Sequence, residues 1–406
     1  MTVRRDAAPH NVLVLRAPQT PETSRERRLL GLPAEAAGRR ADPGWLLRVE
    51  EVPPAVTRRL ARLVARSGGA TTSLPGRVLL VSGPRRALEE MVDGAGRLEE
   101  TSAVAAAIGG ALRAVDRPPA RLRLRHGTLD LGTPIIMGIL NLTPDSFSDG
   151  GRFRRPAAAR AHALRMAAEG ARILDVGGES TRPGARPVPL AVELRRVLPV
   201  IESLVPALRA LGRRRPLVSI DTTKAEVARR ALEAGADLVN DISGMSFDPA
   251  MPAVVAEAGA PVVLQHIRGT PRTMQRAPRY RNLIPDIARV LRRRMEIARR
   301  AGIGDDRVVI DPGIGFGKRR SDSMAILRRL PVLRSLGRPI LIGASRKSFL
   351  GGARALPVGE RLEGSLAAEA LAIAGGAAII RAHDVREAVR VAHLCDAILR
   401  DGAAAG

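Results

Sequence analysis

At 406 residues the chain is long for one domain, and its 45% hydrophobic content is that of an ordinary globular protein. No apolar run approaches the roughly 20 residues that cross a bilayer. The amino terminus lacks the apolar core of a secretory signal and Cys395 is the only cysteine, so a cytoplasmic protein without disulfides or a membrane span is expected. The net charge of +25 comes from 63 Arg and three Lys, is spread along the chain, and stands beside few aromatics that could stack bases, which argues against a nucleic-acid partner.

Residues 1–43 mix Pro, Arg and Glu with weak periodicity and are expected to be flexible. Residues 44–118 predict a small α/β or α+β domain: strand 45–51, helix 55–66, strand 77–82, helix 84–91 and an Ala-rich helix, with no catalytic motif. Residues 119–406 predict the catalytic domain. It starts with alternation across 121–131 around His126-Gly127, which predicts a hairpin with a two-residue turn plugging the amino-terminal mouth of a barrel.

Eight β-branched or Leu-rich runs follow, at 135–140, 172–176, 216–221, 237–242, 261–266, 307–311, 339–343 and 377–383. Ala/Leu/Arg/Glu stretches of helical period separate them. Eight βα units predict a closed parallel (β/α)8 TIM barrel, whose active site lies at the carboxyl ends of the strands. Those ends carry Asn141, Asp175 with Glu179, Asp221, Asn240, His266, Asp311, Lys347 shortly after a strand, and Arg381 with His383. Any strand leaving a barrel ends in something polar, but that accounts poorly for such a set converging from eight strands.

The segment Asn141–Gly151, which includes Asp149, is either an ordinary capped turn or a loop whose Asn141 oxygen serves Mg²⁺, a hard cation that takes few protein ligands. In Gly177–Gly184, Arg182 can close over an anionic substrate or simply be solvated. Asp221, Asn240 and Asp311 can pair with the edge of an amino-pyrimidinone ring, or a carboxylate among them can act as a base. Recognition is favoured, because no carboxylate is paired with an obvious nucleophile. Phe316, in a Gly-rich segment lacking the ending of a phosphate loop, can stack on a flat ring or pack in the core. Ser345–Phe349 is expected to open a helix, letting Lys347 and Ser348 serve a ring carbonyl and a carboxylate. Arg381 and His383, two apart on one strand, can hold a diphosphate.

The segments MGILNLTPDSFSDGG, ILDVGGESTRPGA, VSIDTTK, VNDISG, IDPGIGFGK, GASRKSF and IIRAHD, in this order over residues 121–400, closely resemble the dihydropteroate synthase family of folate biosynthesis. The resemblance implies a Mg²⁺-assisted transferase that joins a dihydropterin-methyl diphosphate to p-aminobenzoate and is a target of sulfonamides. Asn141 would contact the metal, and Asp221, Asn240, Asp311 and Lys347 the pterin. Arg381 and His383 would hold the diphosphate. Thr181, Arg182, Pro183, Phe316 and Ser348 would shape the p-aminobenzoate site, with the loops carrying Asp149 and Arg182 closing when substrate binds. A homodimer is implied by the resemblance alone. Ala344 and the Asp-Ile-Ser-Gly after Asn240 depart from the common pattern without removing a functional side chain, and the residues before about 120 extend beyond the minimal barrel. A pterin-binding methyltransferase barrel and a catalytically silent pterin-binding scaffold are the rival expectations. The complete STRPG and SRKSF segments argue against the first; the retained Asn141, Lys347 and Arg381 argue against the second.

Overall fold

The computed structural model describes residues 10–16, 45–143, 156–212, 215–354 and 356–400. These divide into two compact units. The first combines residues 1–118 with 280–292 and 331–337, and the second holds the rest.

The sheet of the first unit has the order β1-β2-β4-β3, from β1 (Val12–Arg16), β2 (Trp45–Val49), β3 (Ala70–Leu74) and β4 (Val78–Gly83). Every pairing is antiparallel, so the unit is α+β rather than α/β. Helices Pro54–Arg66, Arg85–Gly96 and Glu99–Asp116 supply the other half of its core. Leu47 and Val49, and likewise Leu79 and Val81, alternate along their strands and meet Leu60, Val64, Leu88, Met91 and Ile108. Glu50 is buried but satisfied: Arg48 donates to it at 3.0 Å, and the Arg289 guanidinium spans both of its oxygens.

Two strands here depart from the expectation. Strand β1 lies within the segment 1–43 expected to be flexible, because its short VLVLR run is too brief to set a period by itself. Strand β3 has no buried residue, so no hydrophobic alternation marks it in the sequence.

In the second unit, eight parallel strands follow the order β12-β11-β10-β9-β8-β7-β14-β13. They are β7 (Ile135–Asn141), β8 (Ile173–Gly177), β9 (Leu217–Asp221), β10 (Leu238–Asp241), β11 (Val262–Gln265), β12 (Val308–Asp311), β13 (Leu341–Ile342) and β14 (Ile379–Ala382). A parallel bridge between Ile310 and Ile340 joins the two outer strands and closes the ring, giving the expected TIM barrel. Below it, β5 (Arg121–Arg123) and β6 (Thr128–Asp130) form the hairpin. Leu124 continues the pairing by donating to the Gly127 carbonyl at 3.0 Å, so the closing bond encloses two residues, Arg125-His126, one place before the expected His126-Gly127. Leu122, Leu129 and Leu131 pack on Ile135, Met137, Ile173, Leu217, Leu238, Val263, Val309, Leu341 and Ile379. This apolar plug fixes which end of the barrel can hold a polar site.

Candidate active site

Strand register decides which side chains meet at the carboxyl end. Asn141, Gly177, Asp221 and Asn240 are Cα partners in succession across β7, β8, β9 and β10. One layer below, Asp175 pairs with Ser219, and on the far side Gln265 pairs with Asp311. Because alternate residues share a face, Asp175, Ser219 and Asp221 belong to one cluster.

At the centre lies Arg381 of β14. Its Nε donates to Asp175 Oδ2 at 2.6 Å and its Nη2 to Asp221 Oδ2 at 2.7 Å, while Asn240 Nδ2 donates to Asp175 Oδ2 at 3.0 Å. Both carboxylates keep one oxygen unused. Among the described residues, Asp175 Oδ1, Ser219 Oγ, Asp221 Oδ1, Asn240 Oδ1 and Gln265 Nε2 are buried without a hydrogen-bond partner. Folded proteins leave only a few such atoms, since each costs about 1–3 kcal/mol. A group of them at a barrel mouth is a site shaped for a ligand that carries the missing donors and acceptors.

Burial pushes the Asp221 carboxyl up to about 7 against the pull of Arg381, with Asp175, Glu193 and Asp241 adding to the rise. Asp311 is also raised by burial, although Lys347 opposes the shift, and its Oδ1 accepts from the Gly313 amide at 2.6 Å. Burial lowers the Lys347 ammonium to about 8 in spite of Asp311. That ammonium donates to the Ile314 carbonyl at 2.6 Å and stands 4.7 Å from the centre of the Phe316 ring. Phe316 is half-buried, so it is available as a ring wall rather than lost in the core.

The turn Asp311–Lys318 needs its glycines. Gly313 and Gly317 have φ of +69° and +64°, and a Cβ on Gly317 would stand 2.6 Å from the Arg268 carbonyl oxygen. Lys318 holds the end of this turn. Its buried Nζ meets His266 Nδ1 at 2.9 Å and the Phe316 carbonyl at 3.0 Å. Burial holds both Lys318 and His266 well below their usual ranges, with the charge of Lys318 adding to the shift at His266.

His383 stands apart from the carboxylate cluster. Its Nδ1 lies 3.2 Å from Ser345 Oγ, which also accepts from the His383 amide. Burial, then the charges of Arg381, Arg346, Arg182 and Lys347, hold its imidazole well below its usual range, so it is neutral near pH 7. Arg182 of the second βα loop is therefore within electrostatic reach of His383. Thr181 is half-exposed and Pro183 exposed in that loop, and Ser348 is exposed. The expected helix at Ser345–Phe349 is instead a 3₁₀ segment, Ser348–Arg354, entered through Arg346 at φ +56°. Lys347 and Ser348 thus gain no α-helix dipole, because the helix of this unit, Leu362–Ala374, starts later. Asp149 lies outside the described residues.

Sequence reasoning gave no role to Ser219 or Gln265, and named Asp175 as a strand end without assigning it a partner. The signal for Asp175 and Ser219 was two-residue spacing toward the mouth; for Gln265 it was an amide ending an otherwise apolar run.

A family model described as "Pterin binding enzyme" matches residues 137–383. Dihydropteroate synthase of Synechocystis is 47% identical over 266 residues, covering 65% of this chain and 90% of that protein. The chain belongs to the dihydropteroate synthase family. Two solved members carry telling ligands. The Yersinia pestis synthase in a sulfonamide drug complex superposes with a TM-score of 0.66 at 42% identity, over 69% of this chain and 99% of that one. The Xanthomonas albilineans synthase in complex with 7,8-dihydropteroate gives 0.60 at 40%, over 69% and 98%. The family match begins after the first unit's sheet, whose residues lie outside it. No helix among the described residues is long and apolar enough to cross a membrane.

Proposed function

We propose that the barrel performs the family's reaction, joining a dihydropterin-methyl diphosphate to p-aminobenzoate with release of diphosphate. The supporting observation is the group of unpartnered buried atoms. Asp175 Oδ1, Asp221 Oδ1 and Asn240 Oδ1 are acceptors and Gln265 Nε2 is a donor, which complements the amino, ring N–H and carbonyl groups along a pterin edge. Lys347 donates to the ring carbonyl, and Phe316 and the Thr181–Pro183 loop flank the p-aminobenzoate, whose carboxylate Ser348 receives.

In the reaction the methylene C–O bond breaks and the electron pair leaves with diphosphate. The arylamine lone pair forms the C–N bond, and its proton passes to water. The electron-rich pterin supports cationic character at the methylene carbon, so the protein needs no strong base. Arg381, with two of its nitrogens committed to Asp175 and Asp221, offers Nη1 to the diphosphate. His383 contributes as a hydrogen-bond partner, its imidazole held below its usual range by burial and by the charge of Arg381.

Mg²⁺ fits the donors present. Asn141 Oδ1 lies 3.8 Å from the point where a Gly177 Cβ would sit, beside Asp221, and no group of three His, Cys, Asp or Glu among the described residues could cage a metal. Such a site suits an ion completed by phosphate oxygens and water, which would neutralise charge on the leaving diphosphate. Diphosphate release should require p-aminobenzoate and Mg²⁺ together. Release without p-aminobenzoate, or full rates in excess EDTA, would refute the reading.

We further propose a cytoplasmic homodimer through the apolar side chains Leu371, Leu394, Ile398 and Leu399. They are exposed on the adjacent helices Leu362–Ala374 and Val385–Leu399. Light scattering should give twice the 43.2 kDa chain mass, and a monomer at micromolar concentration would exclude the dimer.

A further inference from the structure

We propose that Lys224 is a positioning residue that clamps the root of the second βα loop to the third, and so sets Thr181–Pro183 at the height where p-aminobenzoate binds. This rests on the assignment of that loop to p-aminobenzoate. The clamp is assembled from three chain segments. Lys224, just after β9, directs its Nζ to Glu179, the residue before the Ser180-Thr181-Arg182-Pro183 stretch. The same Nζ reaches Glu193 Oε2 at 2.5 Å. Glu193 is fully buried in the first turn of helix Leu190–Arg209, and its other oxygen accepts from Thr222 Oγ1 at 2.7 Å. Thr222 Oγ1 in turn accepts from the Lys224 amide at 3.2 Å.

The backbone of the loop root is held against the same helix. A Cβ on Gly178 would meet Val197 Cγ1 at 2.7 Å and Glu193 Cγ at 3.0 Å, and Arg196 donates to the Gly178 carbonyl at 2.7 Å. At the loop's other end, the Gly184 amide donates to the Pro271 carbonyl at 3.0 Å. The residues proposed to touch p-aminobenzoate therefore hang between two fixed points, one of which is held by the Lys224 ammonium together with Arg196.

Composition supports the choice of that ammonium. In a chain with 63 Arg and three Lys, one of the three lysines stands where two carboxylates from different segments converge on one point. A compact ammonium can take both, whereas a planar guanidinium presents a fork sized for one. Without Lys224, the buried Glu193 and the nearby Glu179 would repel each other, and the loop root would lift to separate them.

The test separates loop placement from general damage. Dihydropterin diphosphate affinity is measured by calorimetry without p-aminobenzoate, and KM for p-aminobenzoate by diphosphate release, in Lys224→Met, Glu179→Ala and the double variant. Expected are a KM for p-aminobenzoate raised about tenfold in each single variant, pterin affinity within about twofold of wild type, and a double variant no worse than either single one. Equal loss of pterin affinity, an unchanged KM, or additive losses in the double variant would overturn the clamp. If Lys224→Met does not fold, Glu179→Ala carries the same comparison, since it leaves the buried Lys224–Glu193 pair in place. Wild-type turnover tests the assigned reaction separately, because failure of that assignment appears without any substitution.

Discussion

The two mouths of the barrel are built from the same eight strands by opposite rules. At the amino ends, Ile135, Ile173, Leu217, Leu238, Val263, Val309 and Ile379 close on the Leu122, Leu129 and Leu131 plug, an apolar layer with nothing left to pair. At the carboxyl ends, Asp175, Asp221, Asn240 and Gln265 are buried with atoms unpaired. The first mouth contributes apolar burial, and the second carries unpaired polar atoms that cost stability until something pairs them.

That division can be broken most sharply at Arg381. Arg381→Ala leaves Asp175 and Asp221 buried side by side without their shared cation, so kcat/KM should fall by about a thousandfold or more, and thermal stability should fall with it. Near-normal turnover in a folded variant would show that the guanidinium is structural. At the opposite mouth, Leu129→Ala should cost about 2–5 kcal/mol in denaturant unfolding, yet leave kcat of the folded enzyme within about twofold. A selective loss of kcat would mean that the plug and the site are coupled.

The mildest effect is in pH. Asp221, raised to about 7 by burial, loses its role as an acceptor when protonated, so kcat/KM for the dihydropterin substrate should rise as pH increases through about 7. Lys347, lowered to about 8 by burial, loses its donor charge above that pH, so the profile should fall again. The maximum is expected between about 7 and 8, and Asp221→Asn should remove the acid limb; an acid limb that persists assigns it to another group. Stability of the ligand-free enzyme has the opposite sign on the acid side. A carboxyl raised above its unfolded value of 3.8 contributes stability below that value and loses it as pH rises through about 7.

Much of this was legible in the sequence because it is carried by periodicity and by residue type. Eight βα repeats predict a closed barrel, and polar residues at the strand ends predict where chemistry sits. The misreadings have local causes. Strand β3 buries neither face, Ser345–Phe349 has helical composition but turns as a 3₁₀ segment, and the hairpin closes one residue earlier than its Gly suggests. The three lysines show the same limit. The motif marked Lys347 as a ring contact, but not that it would donate to the Ile314 carbonyl beside Phe316, that Lys318 would brace the Phe316 turn, or that Lys224 would bridge two glutamates.

The sequence by itself determined the barrel, its polar end and the family, since ordered motifs and a repeating hydrophobic pattern are properties of the chain read in one dimension. Tertiary structure alone decided which polar atoms are spent on one another and which are left over. Arg381 meets carboxylates 206 and 160 residues away, leaving Asp175 Oδ1 and Asp221 Oδ1 unpaired. Hydrogen-bond satisfaction depends on distance and angle between groups far apart in the chain, and only strand register and closure of the ring bring those groups within reach.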